Sequence, residues 1–191
     1  MTPPPERVED ALADAFARLS RGAADSGSPF HTPALATLGL DGAPNLRTVV
    51  LRAVDPVARR LRIHTDRRSA KAAEILRDGR AMLHGYDPSA LVQIRLSGHA
   101  TLHLEDDIAE AAWADSRETS RMLYAAGHAP GTPLPAPPQA PSDAEAGRAN
   151  FAAVTLRIET LDWLLLAPAG HCRARFAWGT DGALAAGWIA P

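Results

Sequence analysis

Cysteine occurs once in this chain of 191 residues, at Cys172. A lone thiol excludes an internal disulfide framework and a multi-cysteine zinc site, and it suits a reducing compartment, for which the cytoplasm is the simplest assignment. A large excess of one charge is also missing: 20 basic and 22 acidic residues leave a formal charge of -2. No general field then draws nucleic acid or anionic lipid, so any anion site has to be local. No stretch approaches the roughly 18 apolar residues of a membrane span, and residues 1 to 29 lack the basic start and apolar run of a targeting segment, so no membrane partner is expected. The Gly-x-Gly-x-x-Gly turn and the Walker loop are absent too, which sets aside the parallel dinucleotide folds. So is the Gly-x-Ser-x-Gly elbow of many hydrolases.

The seven histidines do not make a metal site. His99 and His103, on one face of a strand, would stand about 13 Å apart at ~3.3 Å per residue, too far to share an ion. His171 and Cys172 are neighbours and point to opposite faces of an extended segment, which argues against a Cys-His nucleophile pair.

What is present reads as one domain over residues 1–191, since this length supports one sizeable core and not two. Val8, Leu12, Ala15, Phe16 and Leu19 mark one stripe of a helix over about 5–24. A hairpin follows, with strands at 34–40 and 46–54 around Asp41-Gly42, then a strand at 61–65. Ser69 is placed to cap a helix that ends at Gly79. Strands are expected at 81–85 and 91–104, with a bend at Gly98, and helical turns at 106–115 and 118–126. Residues 127–147 hold six prolines and few large apolar residues and are expected to be a surface loop. Strands close the chain at 151–166, 172–178 and 183–189. Short strands with a few helices between them predict a mainly β, α+β architecture: an antiparallel, closed or nearly closed barrel with helices outside it.

The chemistry gathers in two segments, Arg47-Thr48-Val49-Val50-Leu51-Arg52 and His64-Thr65-Asp66-Arg67-Arg68-Ser69-Ala70-Lys71. Together they offer guanidinium forks, an ammonium, hydroxyls and the free N–H groups of a helix start, which is the donor set of a phosphate site. Arg47 and Arg52 are five apart and point to opposite faces of a strand, so one of them can be structural. Gln93 interrupts an apolar strand, where an amide can read the edge of a heterocycle. Trp163 and Arg173, on strands that Pro168 and Gly170 can fold together, can cover an aromatic ring and place positive charge beside it.

In this order of motifs the chain resembles the pyridoxamine 5'-phosphate oxidase superfamily of FMN-binding split barrels, and it is similar to the bacterial FMN-binding branch more than to the oxidase itself. The likeness runs from about Leu35 to Trp113 and from about Val154 to Pro191. Arg47 to Arg52 matches the family's Arg-x-Val-Leu-Leu-Lys strand, with Arg52 in place of lysine. Ile63-His64-Thr65 and Ser69-Ala70-Lys71 match its Tyr-Thr and Ser-Arg-Lys elements. Val92 to Gly98 matches its Arg-Gln-Val-x-Val-x-Gly strand, and Trp163, His171 and Arg173 keep its tryptophan and Arg-x-His-x-Arg spacing.

The resemblance implies FMN as cofactor, held by Arg47, Thr48, Val49, Val50, Leu51, Arg52, His64, Thr65, Ser69, Lys71, Gln93, Trp163 and Arg173 at the interface of a homodimer. It implies His171 as a substrate contact and names no catalytic base. Ala169 stands where the oxidase has an arginine, and of the oxidase's tyrosine, arginine and serine in the middle helix only a serine, Ser120, has a counterpart. An FMN-dependent oxidoreductase with an altered substrate is therefore expected, the alternative being a flavin-binding or sensor module of the same fold without turnover.

Overall fold

Ala11, Ala15, Leu19 and Gly22 form the buried stripe of the first helix, α1 (Val8–Ala24), which starts three residues later than its apolar spacing predicts. Gly22 lets that helix approach the chain closely, since a Cβ there would lie 2.6 Å from the Phe30 carbonyl oxygen. The structure, a computed structural model, describes residues 4–168 and 170–191.

The strands are β1 (Ala34–Leu38), β2 (Pro44–Thr48), β3 (Leu51–Asp55), β4 (Arg60–Asp66), β5 (Arg80–Asp87), β6 (Val92–His103), β7 (Phe151–Leu165), β8 (Cys172–Trp178) and β9 (Leu184–Ile189). Helix α2 (Ala70–Arg77) lies between β4 and β5, and α3 (Asp107–Ala114) and α4 (Glu118–Arg121) follow β6. The strands pair in the order β2-β1-β5-β6-β7-β4-β3, and β8 and β9 branch from β7. Every pairing is antiparallel. Strand β7 explains the branching: residues Phe151 to Arg157 pair with β4, and Thr160 to Leu165 pair with β8. The fold is a split β-barrel with peripheral helices, as its alternating strands predict.

The single strand expected over 46–54 is two. Its apolar run, Val49 to Leu51, turns a corner, with the Val49 N–H donating to Pro33 O and the Leu51 N–H to His31 O, each at 2.9 Å. β2 therefore pairs with β1 while β3 pairs with β4, and the chain joins the two ends of the strand path. A bulge between Leu51 and Ala53 leaves Arg52 as the extra residue in the β3–β4 ladder. Gly98 does mark a bend: the β6–β7 register shifts beside it, and a Cβ there would lie 1.9 Å from the Arg157 carbonyl oxygen.

Leu35, Leu51, Leu61, Leu83, Ile94, Leu96, Ile158, Leu161 and Phe176 fill the barrel. Trp113, Tyr124 and Phe151 form a smaller cluster that seats α3 against β7. The proline-rich segment has no helix or strand up to a short 3₁₀ turn at Glu145–Asn150. No helix among the described residues is long and apolar enough to cross a membrane.

Candidate cofactor and substrate site

Strand alternation sends Leu61, Ile63 and Thr65 of β4 inward, and Thr65 arrives at the barrel end just before α2 begins. Ser69 occupies the cap position of α2, yet its hydroxyl makes no capping bond. It lies instead 3.1 Å from Thr65 Oγ1, and Lys71 Nζ donates to that same oxygen at 2.9 Å. Two hydroxyls and an ammonium so converge beside the start of a helix, where the dipole also favours an anion. Burial first, and then the nearby Arg47 charge, lower the pKa of Lys71 from its ordinary value and outweigh the Asp66 and Glu74 carboxylates.

Two carboxylates adjoin this cradle, and both are engaged. Asp66 forms a two-point pair with Arg68, at 3.0 Å from Nε and 2.7 Å from Nη2. Glu74, 2 % exposed, accepts from Asn45 Nδ2 and Arg47 Nη2 at 2.7 Å each, and from the Thr37 hydroxyl. Arg47 thus reaches the cradle from β2 already paired with a buried acid. The donor set fits a phosphate monoester, with Thr65, Ser69 and Lys71 free to serve it and Arg47 adding charge from behind.

The remaining expected residues fall in different places. Val49 and Leu51 have core side chains, Val50 is half-buried at the corner, and Thr48 ends β2 exposed. Gln93 and Arg173 lie in register with Leu164 on the outer face of β6, β7 and β8. Arg173 forks Asp162 there, at 3.0 Å from Nε to Oδ1 and 2.8 Å from Nη2 to Oδ2. Trp163 is on the other face: it is 2 % exposed, and its Nε1 donates to Asp14 of α1 at 2.8 Å. Trp163 and Arg173 therefore do not flank one ring in this chain, because their neighbouring register positions send them to opposite sides of the sheet. His171 is exposed just before β8. Ala169 lies outside the described residues.

Arg52 and His64, expected near the phosphate, instead line a separate cavity of about 340 Å³ together with Arg62, Ser116 and Ser120. Arg62 is missing from the expected set, although the alternation Arg60-x-Arg62-x-His64 places Arg62 and His64 on one face of β4 in the sequence itself. Burial, then Arg62 and Arg52, hold the His64 pKa down at about 3, so the ring is neutral near neutral pH.

Residues 12–104 match the family model for the FMN-binding domain of pyridoxamine 5'-phosphate oxidase. A pyridoxamine 5'-phosphate oxidase-related, FMN-binding protein of Nostoc punctiforme superposes with a TM-score of 0.78 at 26% identity, over 94% of this chain and 96% of that one. The matched segment, residues 12–104, belongs to the pyridoxamine 5'-phosphate oxidase-like FMN-binding family. The domain that defines this family binds FMN, and FMN is its cofactor. A pyridoxine/pyridoxamine 5'-phosphate oxidase of Anaeromyxobacter dehalogenans is 34% identical over 119 residues, which are 62% of this chain and 59% of that protein. The chain thus aligns with little more than half of that relative's length. PhzG of Burkholderia lata, solved with tetrahydrophenazine-1-carboxylic acid, shares the fold at a TM-score of 0.70 and 20% identity, over 98% of this chain and 94% of that one.

Proposed function

We propose that this protein is a cytoplasmic, FMN-dependent oxidoreductase acting as a homodimer on a substrate other than that of the vitamin oxidase. One observation carries the proposal: Thr65, Ser69 and Lys71 converge at the start of α2 with the Ser69 hydroxyl turned away from its own helix. A cap residue that forgoes its capping bond loses about 1 kcal/mol of helix stability, which a phosphate in the cradle would offset.

FMN supplies the hydride chemistry at its N5 when bound. The chain's own groups anchor the phosphate at Thr65, Ser69 and Lys71. Gln93 is suited to the ring edge and Arg173 to positive charge beside the ring. Gln93 and Arg173 face outward from the sheet whereas Arg47 and Thr65 lie on its inner side, which supports a site completed by a second copy. The outer face also carries exposed apolar side chains, Leu46, Met82 and Tyr86, consistent with a covered surface in the dimer.

Purified protein should be yellow, should release FMN on denaturation, and should have that flavin reduced by NADH or NADPH faster than free FMN. A colourless preparation that takes up no added FMN would refute the proposal. Retained flavin with reduction no faster than in solution would leave a binding module.

A further inference from the structure

We propose that Thr155, His103 and Asp106 form an acyl-transfer site for short-chain carboxylic esters, with Thr155 as nucleophile, His103 as its base and Asp106 as the group that positions the ring. The site lies beneath α3, uses no flavin and goes beyond the function proposed above.

Geometry is the first support. His103 ends β6, and Thr155 lies on the neighbouring β7, two residues beyond Ala153, the register partner of His103, and so on the same face of the sheet. His103 Nε2 is 2.9 Å from Thr155 Oγ1, and His103 Nδ1 is 2.6 Å from Asp106 Oδ2. An ionised carboxylate only accepts, so the neutral ring carries its proton on Nδ1 and turns the Nε2 lone pair to the Thr155 hydroxyl. A hydroxyl nucleophile needs its contacts in this order. Asp106 is fixed by its other oxygen, which accepts from the Ala109 N–H at 2.9 Å as the cap of α3. Burial pushes the Asp106 carboxyl up, but the Ala109 N–H and the His103 ring outweigh it and hold its pKa below the ordinary value.

A receiving cavity is the second. Thr155 lines a space of about 320 Å³ between α3 and the β3–β4 hairpin, walled by Val54, Ile108 and Ala111 and edged by the exposed Arg60 and Asp107. That volume is at the lower end of small-molecule sites, and its apolar walls suit an acyl group of few carbons. An unpaired donor is the third. Arg62 also lines this cavity and pairs with Thr155 across the β4–β7 ladder, so their side chains are neighbours. Its Nε is buried with no hydrogen-bond partner among the described residues. Such an N–H is a donor for the negative charge that gathers on a carbonyl oxygen under attack.

In the first step Thr155 Oγ1 bonds to the carbonyl carbon of the ester while its proton passes to His103 Nε2. The carbon–oxygen bond to the alcohol then breaks, and the alcohol leaves with that proton. Water attacks the threonine ester, His103 takes the water's proton and returns it to Oγ1, and the carboxylic acid is released. Nothing is oxidised or reduced, and water is the one co-reactant.

p-Nitrophenyl acetate tests the assignment on the purified protein as it is isolated. Release of p-nitrophenolate should exceed that caused by free imidazole at equal concentration by about a hundredfold or more. Acid-quenched protein should carry an acetyl group on the peptide that contains Thr155. T155V should lose both signals and T155S should keep both, while H103Q should lower the rate by about a hundredfold or more. D106N, whose amide oxygen can still cap α3, should lower kcat about tenfold or more with KM unchanged. Flavin content should be the same in wild type and all four variants, since the site makes no use of the cofactor. Release no faster than with imidazole, acetylation confined to lysines, or equal rates in wild type, T155V and H103Q overturns the proposal and leaves the three residues as a tie between α3 and the sheet. If T155V does not fold, loss of Thr155 acetylation in H103Q sustains the proposal and its persistence overturns it.

Discussion

Arg47 of β2 and Glu74 of α2 form an ion pair of 2.7 Å that ties the helix to the barrel behind the cradle of Thr65, Ser69 and Lys71. Burial pushes the Glu74 carboxyl up, but hydrogen bonds from Thr37 and Asn45 and the Arg47 guanidinium outweigh it and hold the pKa below its ordinary value. The pair's contribution is therefore present above the ordinary carboxyl range and is lost as pH falls through the lowered folded value. Glu74→Ala leaves Arg47 without its buried partner and should cost about 2–4 kcal/mol in urea unfolding at neutral pH. A loss within experimental error would show that Arg47 finds water or another acceptor.

Among the described residues Lys71 has no carboxylate within ion-pair distance, and its Nζ donates to the Thr65 hydroxyl. Lys71→Ala should weaken FMN by about 1.5–3 kcal/mol through loss of one charge-assisted contact. Riboflavin, which lacks the phosphate, should bind wild type and variant alike. Fluorescence titration with both ligands separates a phosphate contact from a general disturbance of the site, since the latter would weaken riboflavin as well.

His64 makes the fold acid-sensitive in a defined window. Its folded pKa of about 3 lies below the ordinary 6.5, so the unfolded chain takes up a proton that the folded chain refuses. Stability is therefore full above about pH 6.5 and falls as pH drops toward 3. Between about pH 7 and pH 5 this amounts to about 1–2 kcal/mol, allowing for the ring's partial exposure. Urea midpoints at the two pH values should show that loss in wild type and not in H64N.

The cradle was legible because it is local: Thr65, Ser69 and Lys71 fall within seven residues, and the strand-to-helix turn alone brings them together. The barrel followed from strand alternation and turn residues in the same way. What the sequence did not disclose depends on pairing between distant segments. Nothing in the apolar run Val49-Val50-Leu51 signals that the chain leaves one neighbour for another there. The opposite facing of Trp163 and Arg173 follows from the β7–β8 register, which their spacing of ten does not determine. Glu74 reads as the buried side of an amphipathic helix only once Arg47 is known to lie beneath it.

The division of Gln93 and Arg173 from the cradle allows a direct test of a shared site. If one flavin is gripped by Lys71 of one protomer and Arg173 of its partner, K71A and R173A should each weaken FMN about tenfold or more. A mixed dimer with one K71A and one R173A chain, isolated through two different tags, would then hold both lesions in one site and neither in the other. Half of the sites should regain wild-type affinity in a fluorescence titration. If each flavin is served by one chain alone, every site in the mixed dimer carries a lesion and no native-affinity fraction appears. That outcome would confine Arg173 to its pairing with Asp162 and remove it from the cofactor site.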